Sequence, residues 1–360
     1  MTQPLVSVIL NTARSNFPMI GFPEKNHLLY TIDALKRQSF HNFGGFELIV
    51  SDYIHSRREM DWGKAGELKF PIYHVPITHS AAHANGYCAI SAGKNNGGMF
   101  AEGKYLIFLD DCCSFEKDFI FRIFKAWAER KIFTNALHRK EVGALSYCGA
   151  DGNQIIDCRY SYFNKEDQGE QEYIDGFHMY GYASMSLEAF IGINGYDEMF
   201  DGSRQLEDIE CGERLKQNGF HIALNNRIFV NEQEHLEIGR GPEGNDCPWH
   251  TGKGDDGIKL KPNLRCNGPY YCLKAQRISS QRMKANMHPL SQGERNKIKP
   301  CFKLNGKICE VSGVECNWLN EDGSLKYMSV DDFIYNNPPV FNMLSMRQEK
   351  LSIKEGYRVR

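Results

Sequence analysis

The sequence predicts an α/β fold built on a doubly wound, Rossmann-like mixed sheet flanked by helices. Three observations carry this. Short apolar runs without helical period alternate with segments of helical period through the first 145 residues. Two of those runs lead into acidic residues, at Asp52 and at Asp110-Asp111, where such sheets bind ligands. Beyond residue 240 the periodicity fades into turn-rich sequence, which predicts a loop-rich, Cys-containing extension.

Leu5-Val6-Ser7-Val8-Ile9-Leu10 reads as a buried parallel strand, because no polar alternation marks a wet face. Residues 26–38 carry apolar positions at helical spacing. Phe46-Glu47-Leu48-Ile49-Val50 is a second strand, closed by Ser51-Asp52. Residues 70–75 are a third, with Pro71 at its start or edge. Residues 81–101, rich in Ala, Gly and Asn, predict a helix. Lys104 to Leu109 is the clearest strand and runs into Asp110-Asp111. Residues 116–130 form a strongly amphipathic helix. Helices are predicted at 186–194 and 206–218, with Gly219 as a C-cap, and short strands at 223–224 and 228–230. The predicted organisation is a domain over 1–239 and an extension over 240–360.

The chain has 360 residues, 41% of them apolar and 24% charged, the composition of a globular protein. Mean hydropathy is −0.49, and no run of about 20 apolar residues occurs, so no membrane span is expected. The N-terminus MTQPLVSVIL lacks a basic n-region and a long apolar core, so no secretory signal is expected. Twelve cysteines are too sparse for a disulfide framework. Reduced thiols and a cytoplasmic location are the expectation.

The net charge of −2 hides an asymmetry. Residues 1–239 hold 23 Lys and Arg against 32 Asp and Glu, whereas residues 240–300 hold 12 against 5. The basic stretch includes Lys253, Lys259, Lys261, Arg265, Lys274 and Arg277, with Tyr270 and Tyr271 among them. It is compatible with a polyanionic partner such as nucleic acid, and equally with a solvated surface balancing an acidic neighbour.

Adjacent carboxylates at the end of a central strand repel each other unless a cation offsets them. Asp110 and Asp111 therefore read either as hard-oxygen ligands for Mg²⁺ or Mn²⁺ or as a helix N-cap. No Walker A sequence and no GxGxxG follows the first strand, which argues against P-loop NTPases and dinucleotide-binding dehydrogenases. Glu207 and Asp208 open an amphipathic helix, where the helix dipole alone favours acids. Cys247 and His250, then Cys266 and Cys272, could hold a tetrahedral structural Zn²⁺, though free thiols read equally well.

Five segments together resemble a known family. VSVIL at 6–10, ELIVSD at 47–52, SAGKNNGG at 91–98, KYLIFLDDCC at 104–113 and the segment 181–220 stand in the order of a nucleotide-sugar glycosyltransferase of the GT-A fold. The pattern is similar to glycosyltransferase family 2 and its galactosyltransferase-like relatives. One departure stands out: Cys112 occupies the place where the family often has a third acid.

The resemblance implies a metal-dependent, inverting transferase using a nucleotide-sugar donor, UDP-linked by expectation. It implies a nucleotide-sugar half over 1–115 and an acceptor half over 116–239. Asp208 would be the catalytic base and Glu207 would orient the acceptor. Thr12, Asp52, Lys94, Asn95 and Asp110 would hold the donor. Asp110, Asp111 and His235 would hold the metal. Tyr182, Ser184 and Met185 would line the acceptor side. Three rivals are a DNA-modifying glycosyltransferase acting on a hydroxylated base, a catalytically silent binding module of the same fold, and a nucleotidyltransferase. The Glu207-Asp208 pair argues against the last.

Overall fold

The computed structural model describes residues 4–13, 18–19, 22–39, 45–58, 70–87, 89–111, 113–142, 155–156, 173–175, 179, 182–202, 206–234, 284–287, 291–295, 304–305, 308–309 and 338–359. The chain opens with β1 (Val6–Thr12), a short hairpin of β2 (Pro18–Met19) and β3 (Phe22–Asn26), and α1 (His27–Lys36). β4 (Phe46–Asp52) and β5 (Ile72–Pro76) follow, then α2 (Ala81–Ala84), α3 (Ile90–Phe100) and β6 (Tyr105–Asp110). Next come β7 (Cys113–Phe115), α4 (Phe119–Arg130), β8 (Ile132–Val142), β9 (Ile155–Ile156) and β10 (Tyr173–Asp175). β11 (Ser184–Ser186), α5 (Leu187–Gly192), α6 (Glu207–Gln217) and β12 (His221–Glu234) complete the first two thirds.

The first sheet has the order β11-β6-β1-β4-β5. β6, β1, β4 and β5 are parallel, with Val8 opposite Leu48 and Ile107, and β11 runs antiparallel to β6. This is the doubly wound mixed sheet that the alternation predicts. All seven residues of β1 and of β4 are buried. Successive side chains point to opposite faces, so both faces are covered, and a continuous apolar run is the consequence. The second sheet has the order β10-β12-β8-β9, with β7 also paired to β12.

α3 is a poor helix by propensity, since Gly93, Gly97 and Gly98 each cost about 1 kcal/mol relative to Ala. Packing explains them. A Cβ on Gly97 would stand 2.2 Å from Cγ2 of Ile9, and one on Gly98 would stand 2.3 Å from Cε1 of Phe190. Glycine lets the helix lie directly on β1 and on α5.

Several elements differ from the prediction. The single helix expected over 81–101 is two helices, broken at Asn85-Gly86, where Gly86 takes a φ of +80°. The two strands expected at 223–224 and 228–230 are one long strand, β12, whose register shifts between Asn225 and Phe229. The Asn225 carboxamide accepts from the Arg227 N–H at 2.9 Å within that irregularity. Ser186 ends a strand and caps α5, so the segment expected as helix from 186 begins as sheet.

Near the end of the chain, after α7 (Gln292–Arg295), α8 (Met343–Ile353) packs on α3. The turn that follows α8 reaches β5: Arg358 bridges to Tyr73, and the Val359 N–H donates to the Ile72 carbonyl at 2.9 Å. Lys354 is buried, with Nζ bonded to the carboxylates of Glu47 on β4 and of Glu102, and it lies 4.3 Å from the Tyr73 ring centre. Among the described residues no helix is long and apolar enough to cross a membrane.

Candidate functional site

The parallel strands end together, and their carboxyl ends carry polar residues. Asn11 stands opposite Ser51 and Asp110, and Thr12 opposite Asp52. The Thr12 hydroxyl donates to Oδ2 of Asp111 at 2.5 Å, joining the turn after β6 to the end of β1. α1 shapes the same turn from the other side. Thr31 Oγ1 accepts from the Cys113 N–H at 2.9 Å, and the Cys113 thiol donates to the Asp110 carbonyl at 3.0 Å. Asp110 is half-buried and Asp111 buried.

Asp52 is engaged inside the protein. Oδ2 accepts from Arg58 Nε at 2.7 Å and from His74 Nε2 at 2.8 Å. Oδ1 accepts from the Ile54 N–H and from the second Arg58 nitrogen, each at 2.9 Å. Burial disfavours its charge, but the hydrogen bonds from His74 and Arg58 outweigh that and hold the carboxyl below its ordinary value. All four acceptor positions are filled, so Asp52 organises the strand end through Arg58 and His74.

α3 brings Lys94 toward the helix that carries the acid pair. Lys94 is 4% exposed, and its ammonium lies 4.7 Å from the centre of the Tyr196 ring. Tyr196 is fully buried, and burial, together with the nearby Cys211, Asp208 and Glu207, raises its phenol well above the usual value. The same surroundings reach Cys211, where burial is the main cause and the thiol is pushed up to about 12. Lys94, Tyr196, Glu207 and Asp208 therefore form one electrostatic neighbourhood. Glu207 and Asp208 are half-exposed at the first turn of α6. The buried pair Arg214–Glu210 (2.7 Å) and the bond from Arg214 to the Ile193 carbonyl (2.8 Å) hold that helix against the preceding loop.

Asn95, expected at the donor, makes hydrogen bonds inside the protein. Its amide donates to the Tyr196 carbonyl at 2.9 Å and to Glu198 at 2.8 Å, and its oxygen accepts from the Tyr196 N–H at 2.7 Å. A fully bonded, buried carboxamide clamps α3 to the loop at 194–201. Ser184 is likewise engaged in the core, with its hydroxyl bonded to the Tyr105 hydroxyl at 2.8 Å and to the Thr134 backbone. Met185 and Tyr182 are buried in the same apolar cluster. His235, Cys247, His250, Cys266 and Cys272 lie outside the described residues, as do Cys112 and most of the basic stretch.

Sequence reasoning missed Asp201. Its carboxylate accepts from the N–H groups of Ser91 and Ala92 at 2.8 and 2.9 Å, capping α3 from a distant loop. Burial first, and the neighbouring Glu198 second, raise its carboxyl well above the usual range. A glycine-rich helix without a capping side chain of its own was the available signal. Among the described residues no group of three or more His, Cys, Asp or Glu forms a metal cluster.

No family model matches the chain, and no curated protein matches it. Among solved structures it is similar to GalNAc-T7 with UDP, GalNAc and Mn²⁺, at a TM-score of 0.46 and 14% identity, over 65% of this chain and 45% of that one. It is similar to S. aureus TarS 1–349 in complex with UDP, at 0.43 and 11%, over 63% of this chain and 60% of that one. The complex of TarS 1–349 with UDP-GlcNAc gives 0.43 and 11%, over 64% and 59%. The matched part spans less than two thirds of each of those proteins.

Proposed function

We propose that the protein transfers a glycosyl group from a nucleotide-sugar donor, UDP-linked, to an acceptor hydroxyl with inversion at the anomeric carbon. The observation that supports this reading is two acidic elements, one closing the central strand β6 and its turn, the other opening α6. Asp110 and Asp111 close the central strand and are tied to Thr12. Glu207 and Asp208 open α6, in the electrostatic neighbourhood that Lys94 and Tyr196 share.

In this reading Asp208 accepts the proton of the acceptor hydroxyl as that oxygen bonds to the anomeric carbon, and Glu207 orients the acceptor. The bond to the diphosphate breaks on the opposite side, and the nucleoside diphosphate leaves with its electron pair. Lys94 would offer its ammonium to the phosphates. Two hard-oxygen carboxylates suit Mg²⁺ or Mn²⁺, which commonly take one or two carboxylates plus substrate phosphates, so the Asp110–Asp111 pair fits such an ion. Bound there, a divalent cation would supply charge stabilisation for the diphosphate.

The test is a donor panel with Mn²⁺, following release of free UDP or GDP, with hydroxymethylated DNA as one of the added acceptors. Donor hydrolysis or transfer that Asp208→Asn abolishes while UDP still binds supports the reading. Consumption of nucleoside triphosphate with release of pyrophosphate would make the protein a nucleotidyltransferase instead. UDP binding without turnover of any donor would favour the silent module.

A further inference from the structure

A cavity of about 390 Å³ lies beyond the end of β5, apart from the Asp110–Asp111 turn. It falls in the size range of small-molecule sites, about 300–1,000 Å³. β5 ends at Pro76, opposite Asp52, and His79 follows, so the cavity sits on the same carboxyl side of the sheet. His79, Ser80 and Glu198 line it on one side. Val340, Phe341 and Met346 line it on the other.

The polar side has unused capacity. His79 Nε2 and Glu198 Oε1 are 2.7 Å apart, and the same oxygen accepts from Asn95 at 2.8 Å. These side chains are only 6% and 3% exposed. The other ring nitrogen, His79 Nδ1, is buried without a partner. A buried polar atom left unpaired costs about 1–3 kcal/mol, so His79 Nδ1 calls for an explanation.

The apolar side is held in place. Asn194 donates to the carbonyls of Ala285 and Phe341, at 2.6 and 2.9 Å, and its oxygen accepts from the Met343 N–H at 2.6 Å. The Phe341 ring meets the His79 imidazole edge-on at 5.7 Å. A ligand entering here meets a carboxylate and an imidazole on one face and Val340, Phe341 and Met346 on the other.

We propose that this cavity binds one neutral saccharide unit. Hydroxyl groups can donate to the Glu198 carboxylate and to His79 Nδ1, which is the acceptor nitrogen of a neutral ring whose Nε2–H donates to Glu198. The C–H face of the same ring packs on Val340 and Phe341. An anion is disfavoured by the carboxylate, and a purely apolar ligand leaves His79 Nδ1 unpaired. The site is independent of the donor-binding turn and needs no nucleotide.

The test is titration of the full chain, without nucleotide, with galactose, glucose, mannose, N-acetylglucosamine and N-acetylgalactosamine, read by saturation-transfer NMR and calorimetry. UDP is titrated separately. Two variants are compared. Val340→Trp fills the mouth from a position that is 53% exposed and leaves the core untouched. Glu198→Gln removes the anionic acceptor. Saturable binding of at least one sugar, weakened at least tenfold in both variants with UDP affinity kept in Val340→Trp, is the expected result. Absence of saturable binding for every sugar, or an unchanged Kd in Val340→Trp, overturns it. Sugar binding without UDP binding would leave this site standing and remove the transferase reading alone.

Discussion

The hydroxyl of Thr12 and the carboxylate of Asp111, 99 residues apart in the chain, are hydrogen-bonded at 2.5 Å across the ends of β1 and β6. A bond to a charged group is worth about 1.5–3 kcal/mol. Thr12→Val keeps the shape and removes the donor. It is expected to lower stability by about 1–3 kcal/mol and to weaken Mn²⁺-dependent UDP binding. Thr12→Ser, which restores the hydroxyl, should recover most of both. Calorimetric UDP titration beside denaturant unfolding separates the two effects, and an unchanged UDP affinity in Thr12→Val would show that this bond serves only the fold.

Removal of the Asp208 carboxylate should leave the fold almost intact, because the side chain is half-exposed at a helix start. Asp208→Asn is expected to reduce turnover by at least a hundredfold, within the usual span for general-base loss. KM for the donor should change little. A variant that keeps full kcat would remove Asp208 from the base role.

Acid should loosen the end of β4. The Asp52 carboxyl sits below its unfolded value, so its charged form stabilises the fold above that value, near pH 4, and the contribution is lost as pH falls through the lower folded value. Stability of the wild type should therefore fall as pH drops below about 4. Asp52→Asn should be less stable at pH 7 and show a shallower fall over that range. Parallel urea titrations at several pH values check this, and identical slopes for the two proteins would refute it.

Lys354 and Glu47 form a buried pair joining the segment after α8 to the second strand of the sheet. Losing one partner of such a pair costs about 3–5 kcal/mol, because the other charge stays buried. Lys354→Met should destabilise by that order, and the double variant Lys354→Met with Glu47→Gln should recover part of it. A double-mutant cycle in guanidinium measures the coupling. Additive losses would mean that the two residues act separately.

Asp201→Ala should cost roughly 1–2 kcal/mol, the upper part of the range for loss of a helix cap, since the two N–H groups it satisfies are buried. Hydrogen exchange at Ser91 and Ala92 should rise before exchange elsewhere in α3. Protection unchanged at those two amides would contradict the capping role.

Much of the first sheet was legible because its strands are buried on both faces. Leu106 to Leu109 and Val6 to Leu10 need no partner to look like strands, and Asp110 and Asp111 directly follow the former. The amphipathic face of α4 and the acidic start of α6 were legible for the same local reason. α8 was not, since its apolar residues do not gather on one face and its docking draws on Lys350 and on Lys354 just beyond it. Nor was the capping of α3 by Asp201, or the clamp of Asn95 on Tyr196, because both join residues about a hundred positions apart. Asn95, Ser184 and Asp52 looked like ligand contacts by their place in a motif. Their polar atoms instead meet backbone and side-chain partners inside the protein, which only the tertiary arrangement reveals.

The clamp between Lys354 and Glu47 also sets a schedule for synthesis. The two residues are 307 positions apart, and a ribosome adding about 5–20 residues per second separates their emergence by about 15–60 s. For that interval β4 exists with a buried carboxylate awaiting its counter-ion, and β5 has an unpaired edge where Arg358 and Val359 will later dock. A nascent chain halted before residue 338 would carry the strand-end acids yet lack the piece that closes the sheet. Such fragments should be held by chaperones or degraded, which couples the assembly of the acidic edge to the arrival of the last helix.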